Sequence, residues 1–138
     1  MSDPDQASTP DAINIWVGGK SSVSSLHRDP YENIYTVIRG KKIFKLFPPT
    51  YRGKIVYKEF PVVRCHFNQS IKKWDRNAEK GIETVRWIEN GVEGVEAEPI
   101  IVEVKPGETL YLPAGWFHQV HQEDNTIAVN YWYDRNGF

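Results

Sequence analysis

Short apolar runs, each closed by glycine or proline, constrain this chain more than any other feature. Residues 13–17 stop at Gly18-Gly19, residues 42–47 at Pro48-Pro49, residues 100–104 at Pro106-Gly107 and residues 109–112 at Pro113-Ala114-Gly115. Such punctuation interrupts any helical stripe, whereas a strand completes itself in about four to eight residues. Residues 24–38 extend the pattern as a long extended segment broken at Pro30, residues 116–121 and 126–133 read as two further strands, and the Arg39-Gly40-Lys41 region reads as a hairpin. Many short strands with turns between them predict an all-β antiparallel sandwich, barrel or jelly roll.

Between residues 50 and 99 the pattern lapses into scattered charges with Gly81, Gly91 and Gly94. A small irregular or helical insertion is expected there, with a short helix near residues 70–79, because such excursions carry specificity more often than core. Residues 1–12 are polar and hold two prolines, which predicts a disordered leader before a core over residues 13–138.

A length of 138 residues suits one domain, and 17 Lys+Arg against 18 Asp+Glu give no global field that would gather nucleic acid or an anionic membrane. With one cysteine, Cys65, no internal disulfide can form, and no stretch has the length and apolarity of a membrane span or signal peptide. The expectation is an intracellular protein, cytoplasmic and also nuclear, without membrane attachment.

Chemistry concentrates in a few polar residues of the strand segments. His27 and Asp29 are two apart, so in an extended strand both project from one face and can share an ion. His118, in another strand beside a Gly-Trp-Phe turn, supplies a third ligand. Two histidines and one carboxylate leave adjacent coordination positions open, which suits non-haem iron(II), whereas a closed structural zinc site takes four protein ligands. His-x-Asp alone is weak, and a surface histidine beside a solvated aspartate is its plain alternative.

Tyr31, Asn33, Tyr35 and Val37 continue the parity of His27 and Asp29, a row too polar for a dry core. Lys42 alternates with Phe44 and Leu46, so its ammonium points inward and needs an anionic partner, which the distal carboxylate of a dicarboxylate cosubstrate would supply; an exposed hairpin lysine is the alternative. Asn130 shares a face with Ala128 and Trp132 and offers an amide to the same interior, or is an ordinary strand asparagine. His66 and His121 are not expected to be ligands.

Taken together, Ser24-Ser25-Leu26-His27-Arg28-Asp29, Tyr31-Glu32-Asn33, Gly40-Lys41-Lys42, Phe47-Pro48-Pro49, Pro106-Gly107-Glu108-Thr109-Leu110-Tyr111-Leu112-Pro113, Trp116-Phe117-His118 and Val129-Asn130-Tyr131-Trp132-Tyr133 resemble the JmjC-domain hydroxylases. The resemblance runs from about Ile13 to Tyr133. It implies a double-stranded β-helix of the cupin-like kind, iron(II) at His27, Asp29 and His118, and Lys42 on the distal carboxylate of 2-oxoglutarate, with dioxygen as the oxidant. It also implies cosubstrate contacts for Ser24, Asn33, Tyr35 and Asn130. By the same resemblance the partner is a protein substrate, with lysyl hydroxylation of a GTP-binding protein preferred to histone demethylation. Family members carry an N-terminal region that completes the fold and C-terminal helices that dimerise; this chain is expected to be the catalytic core without them. Two rivals stay open: a non-catalytic JmjC-like metal-binding interaction module, and a cupin-type isomerase or dioxygenase that uses no 2-oxoglutarate.

Overall fold

The computed structural model describes residues 9–77 and 83–134. Ten strands follow in order: β1 (Ala12–Gly18), β2 (Ser24–Arg28), β3 (Glu32–Phe47), β4 (Tyr57–Pro61), β5 (Arg64–Asn68), β6 (Lys73–Asn77), β7 (Thr84–Ile88), β8 (Ile100–Val104), β9 (Thr109–Leu112) and β10 (Phe117–Tyr133). Two short 3-10 turns, Pro49–Lys54 and Val92–Gly94, are the helical elements among the described residues. Residues 1–8 of the expected leader lie outside the described residues, and β1 begins at Ala12.

The chain divides into two compact units, one formed by the flanks up to Ile55 and from Asn90 onward, the other by Val56–Glu89. The first is organised by its two longest strands. β3 and β10 run antiparallel from Glu32↔Tyr133 to Phe47↔Phe117, and the four short strands line the outer edges of this ladder. β1 pairs with the C-terminal half of β10 and β2 with its N-terminal half. β9 pairs with the N-terminal half of β3 and β8 with its C-terminal half. The result is two four-stranded halves that share continuous central strands.

A corner divides the halves. The β3–β10 register slips between Glu123 and Ile127, where Gly40 has φ +73° and Asp124 has φ +62°. Gly40 faces the opposing strand so closely that a Cβ there would lie 2.5 Å from Thr126 Cγ2 and 2.9 Å from the Asn125 carbonyl oxygen. The hairpin expected at Arg39-Gly40-Lys41 is therefore a bend within one strand, and the two segments expected at 116–121 and 126–133 are one strand bent at the same place. A positive-φ glycine serves a bulge as well as a turn, so local sequence does not separate the two. The long segment expected over 24–38 is split instead, into β2 and the start of β3 on either side of Pro30.

The corner also shifts the phase of burial. Asn33, Tyr35 and Val37 are buried before it and Lys42, Phe44 and Leu46 after it, so inward positions change from odd to even. One core joins both halves, because Tyr35, Val37, Leu112 and Ala128 from one pack with Phe44, Leu46, Val104 and Val120 from the other. The Tyr35 and Phe44 rings meet edge-on at 5.1 Å. Phe44, Phe47 and Phe117 are almost wholly buried, and each contributes roughly 1.5–3 kcal/mol by removal from water.

The second unit consists of two hairpins, β4–β7 and β5–β6. The helix expected near residues 70–79 is not formed through residue 77, and residues 78–79 lie outside the described residues. Asn68 decides the local structure: its side-chain oxygen accepts from the backbone N–H groups of Ser70 and Ile71 at 3.0 and 3.3 Å, closing a turn that continues through Lys72 at φ +53°. Phe67 and Trp74 then pair across the hairpin with ring centroids 5.3 Å apart.

Candidate metal centre and adjoining cleft

The candidate metal site forms where β2 meets β10. His27 and His118 are direct cross-strand neighbours, with ring centroids 4.2 Å apart, and Asp29 follows β2 immediately. The Asp29 Oδ2 lies 3.8 Å from His27 Nε2 and 3.5 Å from His118 Nε2. One ligand atom from each residue falls within 4.8 Å of the others. Donors about 2.1 Å from a shared ion and at right angles stand about 3 Å apart, so small side-chain rotations would close the set on a metal.

Both imidazoles are held in the tautomer that ligation needs. His27 Nδ1 donates to the Ser25 carbonyl at 2.6 Å and His118 Nδ1 to the Trp116 carbonyl at 3.1 Å, which makes each Nε2 the nitrogen that can act as a ligand beside Asp29. Burial, reinforced by the neighbouring His27, pushes the His118 pKa down to about 4, so this ring is neutral near pH 7. The chain around Asp29 is fixed to the turn that precedes His118. Gly115 N–H donates to the Asp29 carbonyl at 2.8 Å, while the Glu32 carboxylate accepts from Tyr111 Oη–H at 2.7 Å and Ala114 N–H at 3.2 Å.

Lys42 lies across the ladder from Gln122, one residue pair away from the corner. It is 7% exposed, and its ammonium donates to the Gln122 side-chain oxygen. Burial lowers its pKa from the ordinary lysine value. Its sequence neighbour Lys41 faces the other way, paired with Glu123 at 2.8 Å and Glu103 at 3.4 Å, and its pKa is raised, chiefly by Glu123. Lys42 opens onto a cleft of about 210 Å³ together with Ser24, Trp16, Gly18, Ser22, Val120 and Gln122.

The donor set suits iron(II), and a buried ammonium held by a neutral amide suits an anionic ligand such as a carboxylate. These features occur in a chain whose residues 3–137 match the cupin-like domain. The chain belongs to that family. Among its relatives are the JmjC domain-containing protein E of Dictyostelium discoideum at 39% identity over 90% of this chain, and the lysine-specific demethylase JMJ32 of Arabidopsis thaliana at 35% over 91%. The human bifunctional peptidase and (3S)-lysyl hydroxylase JMJD7 is 38% identical over 91% of the chain. This cupin-like domain is thus of the JmjC kind. The chain spans 42% of the length of each of these three relatives. Among solved structures, the ribosomal oxygenase YcfD of Escherichia coli superposes with a TM-score of 0.53 at 13% identity, over 93% of this chain and 24% of that one. At that identity the likeness concerns the fold.

Within the cupin-like domain, the residues singled out from the sequence fall into three places. His27, Asp29 and His118 converge, and Ser24 and Lys42 line the cleft. Asn33, Tyr35 and Asn130 do not line that cleft. Asn130, 1% exposed, accepts from Trp16 Nε1 at 2.8 Å and donates through Nδ2 to Asn33 Oδ1 at 2.9 Å, which ties β1, β10 and β3 together. Tyr35 is buried in the core, where desolvation pushes its phenol up. His121 meets Gln119 at 2.8 Å and His66 sits on β5 in the second unit, so neither joins the triad. Gln122 and Trp16 are the polar contacts that sequence reading missed. Gln122 continues the His118–Val120 alternation, a signal lost once the strand is expected to stop at His121.

Proposed function

We propose that this domain is an iron(II)- and 2-oxoglutarate-dependent protein hydroxylase, with a lysine side chain of a GTP-binding protein as its target. The observation that carries the reading is the combination of a three-residue open donor set with a buried lysine whose hydrogen-bond partner is a neutral amide. His27, Asp29 and His118 would hold iron(II) on one face, leaving the opposite positions for cosubstrate and dioxygen. Bound there, the metal with 2-oxoglutarate supplies the oxidising chemistry: one oxygen atom of dioxygen enters a C–H bond of the substrate, the other enters succinate, and carbon dioxide leaves. The chain's own residues bind and orient. Lys42 would pair with the distal carboxylate, Ser24 would add a hydroxyl to the same cleft, and the backbone carbonyls of Ser25 and Trp116 would keep both imidazoles neutral and aimed. The lysyl target rests on the 38% identity to the human lysyl hydroxylase.

The test is succinate formation with iron(II), 2-oxoglutarate and basic peptide substrates, followed by mass spectrometry for an added oxygen atom. His27→Ala and Lys42→Ala are each expected to lower turnover by about a hundredfold or more. Unchanged turnover in both variants would sink the assignment. The rival that this test separates is a metal-binding interaction module. Stoichiometric peptide binding without succinate would favour it.

A further inference from the structure

Gln122 does more than fill the space opposite Lys42. It is 6% exposed, and its amide is engaged at both ends. The oxygen accepts from Lys42 Nζ and from Thr126 Oγ1–H, the latter at 2.7 Å, while Nε2 donates to the Gly19 carbonyl. Flipping the amide would set an N–H group against the ammonium and its oxygen against the Gly19 carbonyl, so the oxygen stays turned toward the ammonium. Gly18 leaves the room this requires, since a Cβ there would lie 2.6 Å from Gln122 Nε2.

The chemical character of this partner matters as much as its geometry. A carboxylate of the same length would also accept from Lys42 and Thr126, but it would neutralise the ammonium and place negative charge against the Gly19 carbonyl. An apolar side chain would leave the ammonium unheld. The neutral amide fixes the ammonium and leaves its full charge to a ligand. Lys41 shows the contrast within one strand: its two carboxylate partners satisfy it on the outer face.

We propose that Gln122 is a positioning residue that sets the cleft's preference for 2-oxo acids with a second, distal carboxylate, by holding Lys42 without neutralising it. This rests on the cosubstrate reading above. The test is calorimetric titration of the manganese(II)-loaded protein with 2-oxoglutarate and with 2-oxopentanoate, which has the same carbon chain but ends in a methyl group. The wild type is expected to favour the dicarboxylate by about tenfold or more. Gln122→Glu is expected to remove most of that preference while 2-oxopentanoate affinity stays within about twofold. A merely structural role would weaken both ligands together. If circular dichroism shows Gln122→Glu unfolded, Gln122→Met decides: it keeps the lysine's charge but not its aim, and its preference is expected to fall severalfold. A wild-type preference retained in Gln122→Glu, or in Gln122→Met when it must decide, overturns the proposal alone. A wild type that does not distinguish the two acids overturns the cosubstrate reading and this inference with it.

Discussion

Replacing Gly40 by alanine tests the corner on which the site's layout depends. The new Cβ would have to occupy a backbone conformation at φ +73° and would start 2.5 Å from Thr126 Cγ2, 2.9 Å from the Asn125 carbonyl oxygen and 3.0 Å from Thr126 Cα. The left-handed conformation costs about 1–2 kcal/mol for an L-residue. Two of the three close atoms belong to backbone, so relief requires the strands to separate, at about 1–3 kcal/mol by analogy with overpacked cores. Gly107→Ala supplies the control, because its φ is +85° and nothing lies within 4 Å of the added carbon. Gly107→Ala should therefore cost about 1–2 kcal/mol and Gly40→Ala about 2–5 kcal/mol, the difference reporting the close approach. Urea unfolding followed by tryptophan fluorescence measures both, and with a slope of about 1–3 kcal/mol per molar the Gly40→Ala midpoint should fall by roughly 1 M or more. If Gly40→Ala costs no more than Gly107→Ala, the account of the corner as a forced close approach is wrong.

Asn130→Leu should destabilise the apo protein by about 2–4 kcal/mol in the same assay, since it leaves the Trp16 indole N–H and the Asn33 side-chain oxygen without the partners they have at 2.8 and 2.9 Å; a loss under about 1 kcal/mol would show that these bonds are replaced. Protonation of His118 should set an acid limit on the metal-free protein. Its pKa is lowered from 6.5 to about 4 by burial and then by His27, so the unfolded chain binds the extra proton first as pH falls. Its contribution to stability is complete above about pH 6.5 and is lost as pH drops toward about 4. His118→Gln should flatten the melting temperature across that window, and an unchanged slope would refute the assignment.

The strand alternation and the polar residues placed upon it were legible because both are local properties. Parity alone directed Lys42 to the side of Phe44 and Leu46, and the buried positions of β3 beyond Gly40 follow that phase, whereas those before it have the opposite one. Spacing placed His27 and Asp29 on one face, whereas His118 joins them through a strand pairing that spacing does not encode. Long-range partners account for what was missed. Trp16 and Asn130 are 114 residues apart and Lys42 and Gln122 are 80 apart, so nothing near either residue signals the other. The glycine at position 40 was read as a reversal of direction because its dihedral freedom is the same in a hairpin and in a bulge. The hairpins of the second unit were obscured by short, charged strands with little alternation, all exposed save for a few positions.

The excursion between the two chemical halves of the sequence has a closed stem. Glu89 N–H donates to the Val56 carbonyl at 3.0 Å, so the second unit leaves and returns at adjacent points. A segment closed in this way behaves as a module: its loop-closure entropy is settled at its own base, and changes in its length add only slowly to the cost. The triad His27, Asp29 and His118 and the cleft residues Ser24, Lys42 and Gln122 all lie outside it. Evolution or design is consequently free to exchange one part of the polypeptide for new recognition while the ladder retains its register.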